Sequence, residues 1–168
     1  MTEAANTEKQ LQIGDEIREN GIVTAIYAGL TKDGKQQIFA MPKDLTTARG
    51  YHIMTFNKAA KVIEKMNGYN AFGHHDWQIP NLESLYVLKN NRNEGSLKGT
   101  FEENFKPNSG GSEGLDWYWS SSEDNSDGSS EATAVCFWAA FDDGFSKDED
   151  RLSCRAVRLV PVAAPSLG

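Results

Sequence analysis

The stretch Asp76-Trp77-Gln78-Ile79-Pro80-Asn81-Leu82-Glu83-Ser84-Leu85 decides how the rest of the chain is read. Pro80 fixes its own φ and lacks an N–H, which pre-organises a helix start, and Asn81 is free to cap it. Leu82, Leu85, Tyr86 and Leu88 or Lys89 then recur at helical spacing until Asn90-Asn91. Trp77, just upstream, brings about 150–250 Å² of surface that a core must absorb.

Upstream lies a second amphipathic segment. Thr55 caps it, Ala59, Val62, Ile63 and Met66 form its apolar stripe, and Lys58, Lys61 and Lys65 its wet side. Gly68 suits the left-handed position just past its end. Each helix is expected to bury one stripe against a sheet, at about 1.5–3 kcal/mol per fully buried large side chain. Further back, Ile22–Ala28 is β-branched and apolar on both faces, the mark of a buried strand. The Asp-Gly pair in Lys32-Asp33-Gly34-Lys35 turns it into a second strand at Gln36–Met41, completing a hairpin.

Downstream, regular patterning thins from about Gly95. Lys106–Leu115 and Glu123–Glu131 read as polar loops, Trp117-Tyr118-Trp119-Ser120-Ser121 as a strand, and Thr133–Phe141 as a central strand turned by Asp142-Asp143-Gly144. Leu152–Val162, with Arg155, Val157 and Leu159 alternating, reads as one last strand. A hairpin, two helices and then antiparallel strands with long polar loops make an α+β fold. The division is a flexible N-terminus at 1–11, one domain at 12–162 and a flexible tail at 163–168.

Composition narrows the function. At 168 residues, with 39% hydrophobic residues and 17 aromatics (8 Phe, 4 Trp, 5 Tyr), the chain suits one folded domain. No apolar run is long enough for a membrane span, and no secretory signal is visible, which leaves a cytoplasmic location or export without a cleavable signal. Net charge is −7. Residues 113–150 hold 11 acidic residues and one basic, a net −10; the remaining 13 acidic and 16 basic residues sum to +3. That balance disfavours nucleic acid as a partner and concentrates negative charge in one late segment.

Several motifs in this order resemble a bacterial domain family. Asp76–Leu85 matches its Trp and aliphatic-Pro pair before a helix. Trp119-Ser120-Ser121-Ser122-Glu123 resembles its Tyr-Trp-Ser-Ser-Thr-Glu signature. Phe141-Asp142-Asp143-Gly144 and Ser153-Cys154-Arg155-Ala156-Val157-Arg158 resemble its closing Phe-x-x-Gly and Arg-Cys-Val-Arg strands. Over about residues 51–162 the chain is similar to the C-terminal domain of a collagen-like bacterial adhesin, a type also found among target proteins of diversity-generating retroelements. The resemblance implies a C-type-lectin-like fold: two helices on a twisted antiparallel sheet with long irregular loops. In the adhesin the domain is linked to sulfated polysaccharides, a ligand that acidic late loops would repel.

The function expected is a non-catalytic ligand-binding module displaying late loops and strands to a macromolecule, more readily a protein than a sulfated glycan. The alternatives are an assembly component of a phage particle or cell-surface appendage, or a glycan-binding adhesin. Expected contacts are Tyr118, Glu123, Asp124, Asp127, Trp138, Asp142, Asp143, Phe145 and Asp148. Strand alternation turns Tyr118 away from Trp117 and Trp119, and Trp138 away from Phe137, so Trp117, Trp119 and Phe137 are expected in the core and Tyr118 and Trp138 outward. The acidic loops offer Ca²⁺ donors, yet the first opens with Glu123 and places Ala134 at its twelfth position, so it is no EF-hand. His74-His75-Asp76 suits a turn better than zinc, because adjacent rings diverge. Cofactors and catalytic residues are therefore expected to be none. Cys136 and Cys154 are expected as reduced thiols on paired final strands.

Overall fold

Two four-stranded sheets organise the chain, one built from its early strands closed by the last strand, the other from four late strands. The computed structural model describes residues 10–102, 114–123, 130–139 and 141–163. The expected flexible N-terminus, the tail after 163 and most of the two polar loops lie outside these residues.

The first sheet has the order β1-β2-β3-β8, from β1 (Glu16–Glu19), β2 (Ile22–Leu30), β3 (Gln36–Ala40) and β8 (Val157–Pro161), with all pairs antiparallel. β1 is an element that the sequence reading missed. Its signal is the Asn20-Gly21 pair, with φ values of 52° and 81°, which closes a two-residue hairpin between Glu19 and Ile22. The second hairpin, β2 to β3, falls where the Asp-Gly turn placed it.

The helices follow their caps. In α1 (Phe56–Gly68) the Thr55 side chain accepts the Lys58 N–H, and Ala59, Ile63 and Met66 are buried. Gly68 ends the helix rather than following it; the left-handed position falls on Asn70, φ 55°. In α2 (Leu82–Asn90) Asn81 accepts the Ser84 N–H at 2.8 Å, and Leu85 and Leu88 are buried.

The second sheet has the order β6-β5-β4-β7, from β4 (Gly114–Glu123), β5 (Glu131–Cys136), β6 (Phe141–Ser146) and β7 (Leu152–Ser153); β4 and β7 run parallel. Three expectations are corrected here. Asp142-Asp143-Gly144 lies inside β6, because the turn comes earlier, at 137–139. The single last strand is two, β7 in one sheet and β8 in the other. Between them Arg155, fully buried, is drawn to Asp44. Cys136 and Cys154 are therefore not cross-strand neighbours: β5 pairs with β4 and β6, and both thiols are free and buried.

Side-chain anchors hold this sheet in place. Ser121 N–H donates to Pro80 O at 2.8 Å, and Leu82 N–H donates to Ser122 Oγ at 3.0 Å. Ser120 Oγ donates to Thr133 O and accepts the Ser122 N–H. The serine run thus clamps the start of α2 onto a bulge of β4, between Trp119 and Glu123. Trp119 Nε1 donates to Met54 O, and Trp77 Nε1 to Ala71 O.

Candidate binding surface

Small residues on β5 create the surface. Ala132, Ala134 and Cys136 alternate along one face, and each stands between residues of β4 and β6 in register. The space is taken by rings from both neighbours. Phe141 meets Trp117 edge-on at 5.2 Å, Trp117 meets Phe145 at 4.8 Å, Phe145 meets Trp119 at 6.3 Å, and Trp119 meets Phe56 of α1 at 5.7 Å. This ladder of edge-to-face contacts runs from a buried end at Trp119 to an open end at Phe141, which is 52% exposed. Trp138, in the turn before it, is 59% exposed.

The opposite face of β4 is also covered. Tyr118 is buried beside Phe137, with ring centroids 4.3 Å apart, under a cluster that includes Leu85 and Leu88 of α2. Tyr118 is therefore corrected: it is a core residue, not a contact. Alternation correctly separated it from its neighbours, but β4 has no solvent face at that point. Its phenol donates to Asp44 Oδ2 at 2.7 Å and accepts the Glu102 N–H at 2.8 Å. Asp44 Oδ1 accepts from Arg155 Nε at 2.8 Å, and the Arg155 guanidinium lies 4.1 Å from the Phe101 ring centre. Burial pushes the Asp44 carboxyl up, and Arg155 pulls it back. Burial and the neighbouring Asp44 hold the Tyr118 phenol well above the ordinary tyrosine range. This network is a structural lock with its polar atoms turned inward.

Asp142, Asp143 and Asp148 are exposed, yet each also accepts a bond from within the chain. Asp142 takes the Tyr86 phenol. Burial, and then Asp142 itself, push that phenol up to about 12, so it stays a neutral donor. Asp143 Oδ1 accepts the Gly144 N–H at 2.8 Å. Asp148 takes the Asn57 side chain, beside the N-terminus of α1, where negative charge is favourable. Phe145 is half-buried and braces the ring ladder from beneath. Of the expected contacts, the structure thus gathers Trp138, Asp142 and Asp143 at the hairpin's outer end. The side chain of Glu123, and Asp124 and Asp127 entirely, lie outside the described residues. Phe141 is an exposed ring that the sequence reading did not single out. Its signal was the small-residue alternation on β5, which lets Trp117 and Phe141 meet across Cys136.

The carboxylate of the His74-His75-Asp76 turn is engaged within the chain. Asp76 is bound by Arg158 through Nε at 2.5 Å and Nη2 at 3.3 Å; burial raises its carboxyl, but Arg158 outweighs this and holds it below the usual range. Among the described residues, no three His, Cys, Asp or Glu side chains form a metal-holding group, and no helix is long and apolar enough to cross a membrane. A separate basic region lies along α1. Lys43, Lys58, Lys61 and Lys65 line two adjoining hollows of about 300 and 390 Å³, which share Thr46, Val62, Met66 and Tyr69.

Compared with known proteins, residues 31–161 match the family model of the Lcl C-terminal domain. No curated protein matches the chain. The matched residues begin in the turn before β3, earlier than the motifs of the sequence suggest, and end with β8. The chain belongs to the Lcl C-terminal domain family, the C-terminal domain of collagen-like Lcl proteins: a non-catalytic, adhesin-associated module of C-type-lectin-like fold.

Proposed function

We propose that this Lcl C-terminal domain binds a protein ligand through the outer end of the β5–β6 hairpin, and that the ligand presents a basic patch. The observation that carries the reading is that two large exposed rings, Trp138 in the turn and Phe141 at the start of β6, are followed directly by the exposed carboxylates of Asp143, on the Phe141 face of the strand, and Asp142, on the other. Buried aromatic anchors at the centre of an interface each contribute about 2 kcal/mol or more. Carboxylates around them select a partner by charge and speed its arrival. Trp117 braces Phe141 before binding, which lowers the ordering cost on contact. Glu123, Asp124, Asp127 and Asp148 stay among the proposed contacts on their charge alone. In a retroelement-diversified receptor, substitutions among sibling copies would concentrate here.

A second reading is supported by the lysines of α1. They form a cationic groove suited to a polyanion, which keeps a glycan-binding adhesin in view. A displayed peptide library selected on the wild-type chain separates the two. The expected outcome is clones of net positive charge whose binding falls at least ~30-fold on the Trp138→Ala/Phe141→Ala chain, in line with hot-spot losses. Acidic clones lost on Lys58→Glu/Lys61→Glu/Lys65→Glu, with no effect of the aromatic changes, would replace the first reading with the second.

A further inference from the structure

Four strand edges bound the two sheets, and each meets the hazard of an unpaired edge differently. β1 carries a bulge between Ile17 and Arg18. β8 is bridged at Val157 by Gln78 and ends in Pro161. β7 is covered by Met54, which exchanges bonds of 2.9 and 3.0 Å with Leu152. β6 is the outer strand of its sheet, and among the described residues no segment pairs with its outer side.

The register shows which of its groups face out. Lys147 N–H donates to Ser130 O on the β5 side at 3.0 Å, so alternate residues back from it, Phe145, Asp143 and Phe141, point their backbone groups at β5. Asp142, Gly144 and Ser146 point theirs outward. Two of those outward donors are already taken by carboxylates: Gly144 N–H by Asp143 Oδ1 and Ser146 N–H by Asp150 Oδ2, both at 2.8 Å. Asp150 also returns its own N–H to Ser146 O at 3.2 Å, closing that residue on both groups.

We propose that Asp143 and Asp150 guard the β6 edge, so that partners and second copies of this chain are kept from adding a strand there and meet the sheet only through side chains. An incoming strand would have to displace two charge-assisted bonds and bring its own carbonyl oxygens against the two carboxylates. This gives part of the late acidic charge a task that needs no ligand, and it stands whether or not the hairpin end binds a protein.

Amide hydrogen exchange and light scattering on the full chain test it. In Asp143→Ala the Gly144 amide should exchange at least tenfold faster while Ser146 stays slow; in Asp150→Ala the reverse should hold. The β2–β3 amides serve as the fold control in both. The Asp143→Ala/Asp150→Ala chain should self-associate more than wild type as concentration rises, whereas the Asn pair, which keeps an oxygen at each position, should not. Unchanged exchange at Gly144 and Ser146 in the single variants would overturn the proposal. So would wild-type association in an alanine pair whose edge amides are open. If the alanine pair unfolds, the single variants, each judged at its own amide, decide.

Discussion

The two sheets of this domain are anchored differently. In the first, three strands are set by tight turns, β1 to β2 through Asn20-Gly21 and β2 to β3 through a turn at residues 31–35, and β8 pairs with β3 from the far end of the chain. The strands of the second are also consecutive in sequence, but the sheet is held to the rest of the fold by buried groups reaching across it: Trp119 to Met54, Ser122 to Leu82, and Tyr118 and Arg155 to Asp44. A sheet fixed by a few buried anchors leaves its connecting segments free to carry exposed rings and charge. That is the physical basis for placing recognition on the second sheet and not the first.

Changes that break an anchor should therefore cost more than changes in a tight turn. The largest effect is expected for Arg155→Ala, which leaves Asp44 buried without its partner. Denaturant unfolding should show a loss of about 3–5 kcal/mol, and Arg155→Met/Asp44→Leu should recover much of it. Ser120→Ala strips Thr133 O and the Ser122 N–H of their partner and should cost about 1–3 kcal/mol by the same measurement. In the first sheet, Asn20→Ala keeps a β-carbon at positive φ but removes the side-chain amide that makes this conformation tolerable, and should cost no more than about 1–2 kcal/mol. If Asn20→Ala cost more than Arg155→Ala, the contrast between the sheets would fail.

The smallest effect concerns the exposed tie between the Trp77 segment and β8. Arg158 holds the Asp76 carboxyl below its ordinary value of 3.8, so the folded state binds that proton less readily than the unfolded state. The stability it adds is present above the unfolded value and is lost as pH falls through the folded one. Wild type should exceed Asp76→Asn by less than about 1 kcal/mol at pH 7, and the gap should close as pH falls below about 4. A gap that widened in acid would contradict the assignment.

What was legible in the chain follows the same contrast. The helices, their caps at Thr55 and Asn81, and the β2–β3 hairpin were readable because period and cap chemistry are local. β1 was readable in principle from Asn20-Gly21, but four polar-flanked residues give little period to detect. The late strands were misplaced for non-local reasons. Asp142-Asp143-Gly144 has turn composition, yet it lies extended because Phe141 and Phe145 on either side pack onto Trp117. Leu152–Val162 has strand composition throughout, yet it is broken at Arg155 by a partner more than a hundred residues upstream, Asp44. Tyr118 was placed outward because alternation reports which residues oppose each other, not whether both faces of a strand are covered. The exposure of Trp138, Asp142 and Asp143 was legible from residue type, whereas that of Phe141 depends on the neighbouring strands.

The most direct test of recognition through the hairpin end is a hydrogen-exchange footprint, taken with the tightest-binding peptide from the library selection. The account expects slowed exchange across residues 138–146, with residues 43–48 and 58–65 unchanged. Slowing confined to the lysine-lined groove, with 138–146 exchanging as in the free protein, would contradict it.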